Sequence, residues 1–215
     1  MRLEARTTGT LEYVVRSPRR VPDEGLAPVL CFLHGYDEGA PTPLEDGVAK
    51  HGPLRVDAPE GTERFLIVAP QLPRRGDLWG RYATEVRGIV DTELRAQRGD
   101  PARVYLTGFS FGGNGVFDIA AAQPGEWAAL WAVDPTRVPV AAVDAPVWLS
   151  IGDAARAATR LFAHRLQLSD AERVPTADRL FLDQGADHVG SATLAYNDTR
   201  IYGWLLAHSR AARTV

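Results

Sequence analysis

The stretch Arg103-Val104-Tyr105-Leu106-Thr107-Gly108-Phe109-Ser110-Phe111-Gly112-Gly113 runs an apolar strand pattern straight into Gly-x-Ser-x-Gly, and a helical pattern begins directly after it. Strand, sharp turn and helix in that order form the setting in which a serine hydroxyl stands at the end of a sheet and can act as a nucleophile. Gly108 and Gly112 fit this reading physically. The turn leaves no room for side chains on either side of Ser110, and glycine adopts dihedrals that other residues avoid. The same turn points unpaired helical N–H groups, from Phe111 onward, toward the Ser110 hydroxyl. The five-residue pattern alone arises often by chance; the strand before it and the Gly-Gly-helix after it give it weight.

Upstream, Val29-Leu30-Cys31-Phe32-Leu33 is apolar at every position, as in a strand covered by helices on both faces, and it ends in His34-Gly35-Tyr36. Ligands of open α/β sheets bind at such C-terminal strand ends. Residues 37–64 are rich in Gly, Pro, Asp and Glu and hold at most one short helix, about Leu44 to His51. Phe65 to Ala69 reads as the next buried strand, closed by Pro70, and a loop over 71–81 carries Trp79. Tyr82, Val86, Ile89, Val90 and Leu94 then recur at helical spacing up to Gly99-Asp100-Pro101. Before all of these, Leu3–Thr7 and Leu11–Val15 suit an edge hairpin turning at Gly9-Thr10, followed by a surface loop over 18–27.

Downstream, the helix after Ser110 runs to about Gln123, before Pro124. Leu130 to Val133 is a strand ending at Asp134-Pro135. Pro146 to Ser150 is another, ending at Gly152-Asp153. An alanine-rich helix spans 154–168, and Arg179 to Leu182 is the last strand, leading to Gly185-Ala186-Asp187-His188. A final helix begins near Thr199, a suitable cap, with Ile201, Trp204, Leu205 and His208 on one face. Strands alternating with helices imply one α/β domain over 1–215 with a mostly parallel sheet. In that architecture Ser110, Asp134, Asp153 and His188 all sit near strand C-termini, and those ends come together.

Composition narrows the function. The chain has 215 residues, 45% of them hydrophobic, enough for a sizeable core, and a formal charge of -3 that gives no support to a nucleic-acid binder. The pairs Arg19-Arg20 and Arg74-Arg75 read as solvated loop charges. The single cysteine, Cys31, excludes an intramolecular disulfide and reads as a buried strand residue. The first residues, Met1 to Arg6, lack the apolar segment of a signal peptide, and no run approaches the roughly 18 apolar residues of a membrane span. A cytoplasmic protein with no membrane association is the expectation. His34, Asp37 and Glu38 lack the paired spacing of a metal site, so neither metal nor other cofactor is expected.

A serine hydroxyl needs a base, usually a histidine oriented by a carboxylate. Of the five histidines, His208 lies by an apolar helix stripe, His164 and His51 read as exposed helix residues, and His34 precedes Ser110. His188 follows the last strand, and the order Ser, acid, His places it as the base. Trp79 and Tyr36, in loops near strand ends, are the candidate walls of a substrate pocket.

Taken together, the sequence resembles the α/β-hydrolase superfamily. More narrowly it is similar to phospholipase/carboxylesterase and poly(3-hydroxybutyrate)-depolymerase-like predicted esterases. The matching stretches are Leu33-His34-Gly35, Val68-Ala69-Pro70-Gln71 with Trp79, the Ser110 turn, Gln123-Pro124 with Trp127-Ala128-Ala129-Leu130, Gly185-Ala186-Asp187-His188, and Tyr202-Gly203-Trp204-Leu205-Leu206. The resemblance implies Ser110 as nucleophile, His188 as general base, and the backbone N–H groups of Tyr36 and Phe111 as the oxyanion hole. It departs from the pattern at the acid. Alignment on Gly152 puts Ala155 where the family carries its aspartate, and the loop that follows is short. Two readings survive: the shortened loop brings Asp153 to the base, or the acid is Asp134, one strand earlier. The resemblance implies a serine carboxylesterase that acts on small-molecule esters through an acyl-enzyme. A peptidase or amidase of the same fold, or a non-catalytic binding protein, remain alternatives. The oligomeric state is left open, a homodimer being compatible.

Overall fold

The computed structural model describes residues 3–20 and 25–210; Pro22 and Asp23 of the expected surface loop, and the first two residues, lie outside them. Nine strands form one sheet: β1 (Glu4–Thr8), β2 (Leu11–Arg16), β3 (Ala27–Leu33), β4 (Leu66–Gln71), β5 (Gly99–Phe109), β6 (Ala129–Val133), β7 (Val147–Ile151), β8 (Ser169–Asp170) and β9 (Arg179–Asp183). Their order is β1-β2-β4-β3-β5-β6-β7-β9-β8. β2 pairs antiparallel with both β1 and β4, and every other pairing is parallel, so β2 alone runs against the sheet. Among the described residues seven α-helices complete the fold: α1 (Leu44–Ala49), α2 (Ala83–Ala96), α3 (Phe111–Ala122), α4 (Asp153–Arg156), α5 (Thr159–Leu166), α6 (His188–Asn197) and α7 (Thr199–Leu206).

The period-2 alternation of the strands divides the core into two layers. Val29, Cys31 and Leu33 of β3 join Val86, Ile89 and Val90 of α2, Val116 and Ile119 of α3, and Phe162 of α5 on one face. Leu30 and Phe32 join Trp131, Tyr196, Tyr202 and Leu205 on the other, under α6 and α7. Burial of apolar surface on both faces explains why the central strands show no polar alternation. Cys31 lies in the first layer, fully buried, and burial pushes its thiol up to about 12. The N-terminal hairpin is fastened to α2 by a buried carboxylate. Glu93 accepts from Arg6 at 2.6 and 2.8 Å and from the Tyr13 hydroxyl at 2.9 Å.

Several elements differ from the sequence expectation. Pro70 does not close β4 but sits within it, opposite Tyr13 of β2. The register with β3 stops at Cys31↔Val68, so the missing N–H of Pro70 breaks no ladder on that side. β5 starts at Gly99, taking in the residues read as the helix end. The helix read over 154–168 divides into α4 and α5 at Ala158, whose ψ of 3° leaves the helical range. The edge strand β8 has two residues and no apolar run to announce it. Asp198, not Thr199, caps α7, accepting from the Arg200 N–H at 3.0 Å. The segment between His188 and Thr199, where the sequence pattern announces no helix, is the helix α6. Gly190, Ser191 and Thr193 give it little intrinsic propensity, and burial of Ala192, Ala195 and Tyr196 supplies the stabilisation instead.

Candidate active site

β5 delivers Ser110 in a backbone conformation with φ 56° and ψ −115°, just ahead of the first residue of α3. Such a conformation in a non-glycine residue costs on the order of 1–3 kcal/mol and persists only where neighbours enforce it. The neighbours are backbone. A Cβ at Gly112 would lie 1.9 Å from the Leu33 carbonyl oxygen, and one at Gly108 would lie 2.4 Å from that of Gly112. The Ser110 N–H donates to the Val133 carbonyl at 2.9 Å, which ties the turn to the end of β6. Ser110 is 7% exposed.

His188 opens α6 and meets Ser110. Its Nε2 lies 2.9 Å from Ser110 Oγ, and its Nδ1 lies 2.5 Å from Asp134 Oδ2. A carboxylate only accepts, so Nδ1–H donates to Asp134 and Nε2 is left to accept the Ser110 proton. The Phe109 ring packs 4.7 Å from the imidazole. Asp187 is occupied as the cap of α6, accepting from the Gly190 N–H at 2.7 Å.

Asp134 follows β6 with φ 43° and is 0% exposed. Its Oδ1 accepts from the Gly152 N–H at 2.8 Å, and its own N–H donates to the Ser150 carbonyl at 2.7 Å. Two donors thus share one buried carboxylate, and both come from elements distant in sequence. Asp153, the preferred acid of the sequence reading, is elsewhere. Its side chain is 55% exposed and paired with Arg156, because α4 begins at Asp153 and carries it out toward solvent. The carboxylate at His188 is Asp134, the alternative. Asn114 was missed altogether. Its Oδ1 accepts from the Thr136 and Arg137 N–H groups at 3.0 and 3.2 Å, and its Nδ2 donates to Thr136 Oγ1 at 2.8 Å, fastening the loop after Asp134 to α3.

The turn after β3 stands beside the nucleophile: a Cβ at Gly35 would lie 3.5 Å from that of Ser110. His34 holds the turn. Its Nδ1 lies 2.7 Å from the Gly35 carbonyl and its Nε2 accepts from the Leu72 N–H at 2.9 Å. Burial lowers its pKa to about 4, so both nitrogens keep their neutral-state roles. Trp79 donates from Nε1 to the His34 carbonyl at 3.1 Å and is 1% exposed. The expectation that Trp79 lines a pocket is therefore corrected: it is an internal prop beneath the His34 turn, packed against α3 at Gly115. Tyr36 is 49% exposed and meets the Phe111 ring edge-on at 4.9 Å.

His51 is not exposed as its position near a helix end suggested. It is half-buried, its Nε2 3.6 Å from Glu38 Oε1 and its ring 5.1 Å from Phe109. Burial lowers its pKa against the opposing pull of Glu38. Glu38 is itself buried and receives Lys50 at 3.2 Å. Among the described residues no group of three or more His, Cys, Asp or Glu side chains could hold a metal ion. No described helix is long and apolar enough to cross a membrane.

No family model and no curated protein matches the chain. Solved structures do. A thermostable esterase superposes with a TM-score of 0.71 at 20% identity, over 97% of this chain and 62% of its own. The chain thus spans less than two thirds of that esterase's length. A feruloyl esterase module from Clostridium thermocellum gives 0.68 at 10% identity, over 93% of this chain and 86% of its own. FphF, a fluorophosphonate-binding serine hydrolase of Staphylococcus aureus, gives 0.64 at 12%, over 95% and 97%. At these identities the likeness is one of fold, the α/β-hydrolase fold.

Proposed function

We propose that the protein is a serine hydrolase that cleaves carboxylic esters through an acyl-enzyme, with Ser110 as nucleophile, His188 as general base and Asp134 as the orienting acid. One observation carries the reading: the continuous line from Ser110 Oγ through His188 to Asp134, at 2.9 and 2.5 Å. His188 Nε2 takes the hydroxyl proton as Oγ bonds to the ester carbon. Asp134 holds the imidazole in the tautomer this requires and stabilises the imidazolium that forms. Charge on the carbonyl oxygen meets the N–H groups of Tyr36 and Phe111, each worth roughly 3–4 kcal/mol of transition-state stabilisation. Collapse expels the alcohol, which receives the proton from Nε2, and water repeats the sequence on the acyl-enzyme. No step calls for a cofactor.

The test is hydrolysis of p-nitrophenyl acetate and butyrate by wild type and Ser110→Ala, with a paired anilide, and fluorophosphonate labelling of both proteins. The expected result is ester turnover and labelling in wild type alone, with the anilide cleaved far more slowly. Anilide turnover matching that of the ester would move the reading to an amidase. Equal rates in the two proteins, with no label on Ser110, would leave a non-catalytic member of the fold.

A further inference from the structure

Past Tyr36 the surface turns cationic. Arg74, Arg75, Gly76, Asp77 and Arg81, between β4 and α2, line a shallow, open depression of about 270 Å³. It abuts the site through one aromatic ring. The Gly76 N–H donates to the Tyr36 carbonyl at 3.2 Å, and a Cβ at Gly76, whose φ is +70°, would lie 2.4 Å from the Tyr36 ring. The same ring meets that of Phe111, the residue after Ser110.

The charge in this depression is one-sided. Asp77 is the only carboxylate among its lining residues, and its oxygens are already engaged. Oδ1 accepts from the Leu78 N–H at 2.8 Å and from Arg81 at 3.0 Å, and Oδ2 accepts from the Tyr82 hydroxyl at 2.9 Å. The Leu78 N–H first, then Tyr82, hold its carboxyl below the ordinary range. Arg75 donates to Thr42 Oγ1 at 3.0 Å and makes no ion pair among the described residues. The Arg74 side chain makes neither an ion pair nor a hydrogen bond among them. The sequence reading took these two arginines as solvated loop charges; the fold sets them in an open depression that Gly76 joins to the Tyr36 ring.

We propose that this depression sets the substrate class: esters bearing a second, anionic group, carboxylate or phosphate, held by Arg74 and Arg75 while the ester carbonyl lies at Ser110. The proposal rests on the hydrolase reading above. A guanidinium fork matches the paired oxygens of either anion. A surface with a net excess of cationic groups also concentrates oppositely charged substrates near it, an effect that salt weakens.

Half-esters of p-nitrophenol with succinate, glutarate, adipate and suberate place a carboxylate at increasing reach on the acyl side. The butyryl ester of glycerol phosphate, followed by titration of released acid, places a phosphate on the alcohol side. p-Nitrophenyl butyrate and the butyryl ester of glycerol are the neutral references. At least one anionic ester is expected to exceed its reference in kcat/KM by about tenfold at low salt, the gain shrinking as salt rises. Which series gains tells carboxylate from phosphate. The ratio of anionic to neutral kcat/KM is expected to collapse in Arg74→Ser and further in Arg74→Ser/Arg75→Ser, with the loss in KM. Turnover of the neutral esters with no anionic preference overturns the proposal, as does a preference that survives the double variant. Wild type that cleaves no ester and takes no fluorophosphonate at Ser110 overturns the hydrolase reading itself, and the proposal with it.

Discussion

Neighbouring strands β6 and β7 are each followed within two residues by an aspartate, and the two carboxylates have opposite surroundings. Asp134 is 0% exposed, held by the Gly152 N–H and facing His188. The Asp153 side chain is 55% exposed and paired with Arg156 on its own short helix. The difference lies in backbone, not residue type. Asp134 takes a left-handed φ of 43°, which turns its side chain in over the strand ends, whereas Asp153 starts a helix that leads away. A buried carboxylate needs donors for its oxygens, and Asp134 has two; an exposed ion pair contributes little.

The largest expected break in this comparison is Asp134→Asn. It keeps the shape but offers His188 a group that also stabilises the wrong tautomer, so kcat should fall by about 10⁴-fold. Asp153→Asn, assayed beside it, should stay within about twofold, since a surface pair on this scale is worth about 0–1 kcal/mol. Comparable losses in both variants would undo the assignment.

Gly152→Ala sharpens the comparison from the scaffold side. Its Cβ would lie 1.7 Å from Ser191 Oγ and 2.8 Å from the Ala186 carbonyl oxygen, both in the segment that presents His188. Ser191 is fully buried and has no room to yield, so the variant should lose on the order of 2 kcal/mol in urea unfolding. It should also lose activity beyond that, because the Gly152 N–H anchors Asp134. A variant as stable and active as wild type would show that this anchor is dispensable.

A last break, in stability and its pH dependence alone, concerns a third strand end, that of β3. His34 has a folded pKa of about 4, below its ordinary 6.5, because burial disfavours the charged ring. Between those values the unfolded chain binds a proton that the native chain does not. Stability from this group is therefore complete above pH 6.5 and is lost as pH falls through 4. The shift corresponds to about 3 kcal/mol as an upper figure. Urea unfolding of wild type and His34→Gln at pH 7 and pH 4 should show the wild-type advantage shrinking by an amount of that order or less. A constant advantage would mean His34 titrates in both states alike.

How much was legible follows from how local each signal is. Ser110 declared itself because its strand, glycines and helix are contiguous in sequence. His188 followed from chain order and its place after the last strand. Asp134 stood only as the alternative, because its role depends on the register that brings Val133 beside Ser150 and on a donor 18 residues away. Trp79 was read as pocket wall because it sits in a loop. Its burial comes from a hydrogen bond to the His34 carbonyl 45 residues earlier, which no spacing announces. The sheet core and the N-terminal hairpin were readable from apolar runs and alternation. α6 was not, since Gly190, Ser191 and Thr193 dilute its helical pattern and only packing on the second layer holds it.

That helix has a consequence in time. His188 comes 78 residues after Ser110 and 54 after Asp134 in the chain. Contacts of large sequence separation form late, because closing the long loop costs entropy before the contact gives anything back. The Ser110 turn is built from β3, β5, α3 and the end of β6, whereas the His188 imidazole beside its hydroxyl arrives on α6. Ser110 therefore stands without its imidazole neighbour until that long-range contact closes, so the turn and its hydrogen bond to His188 form at separate stages of folding.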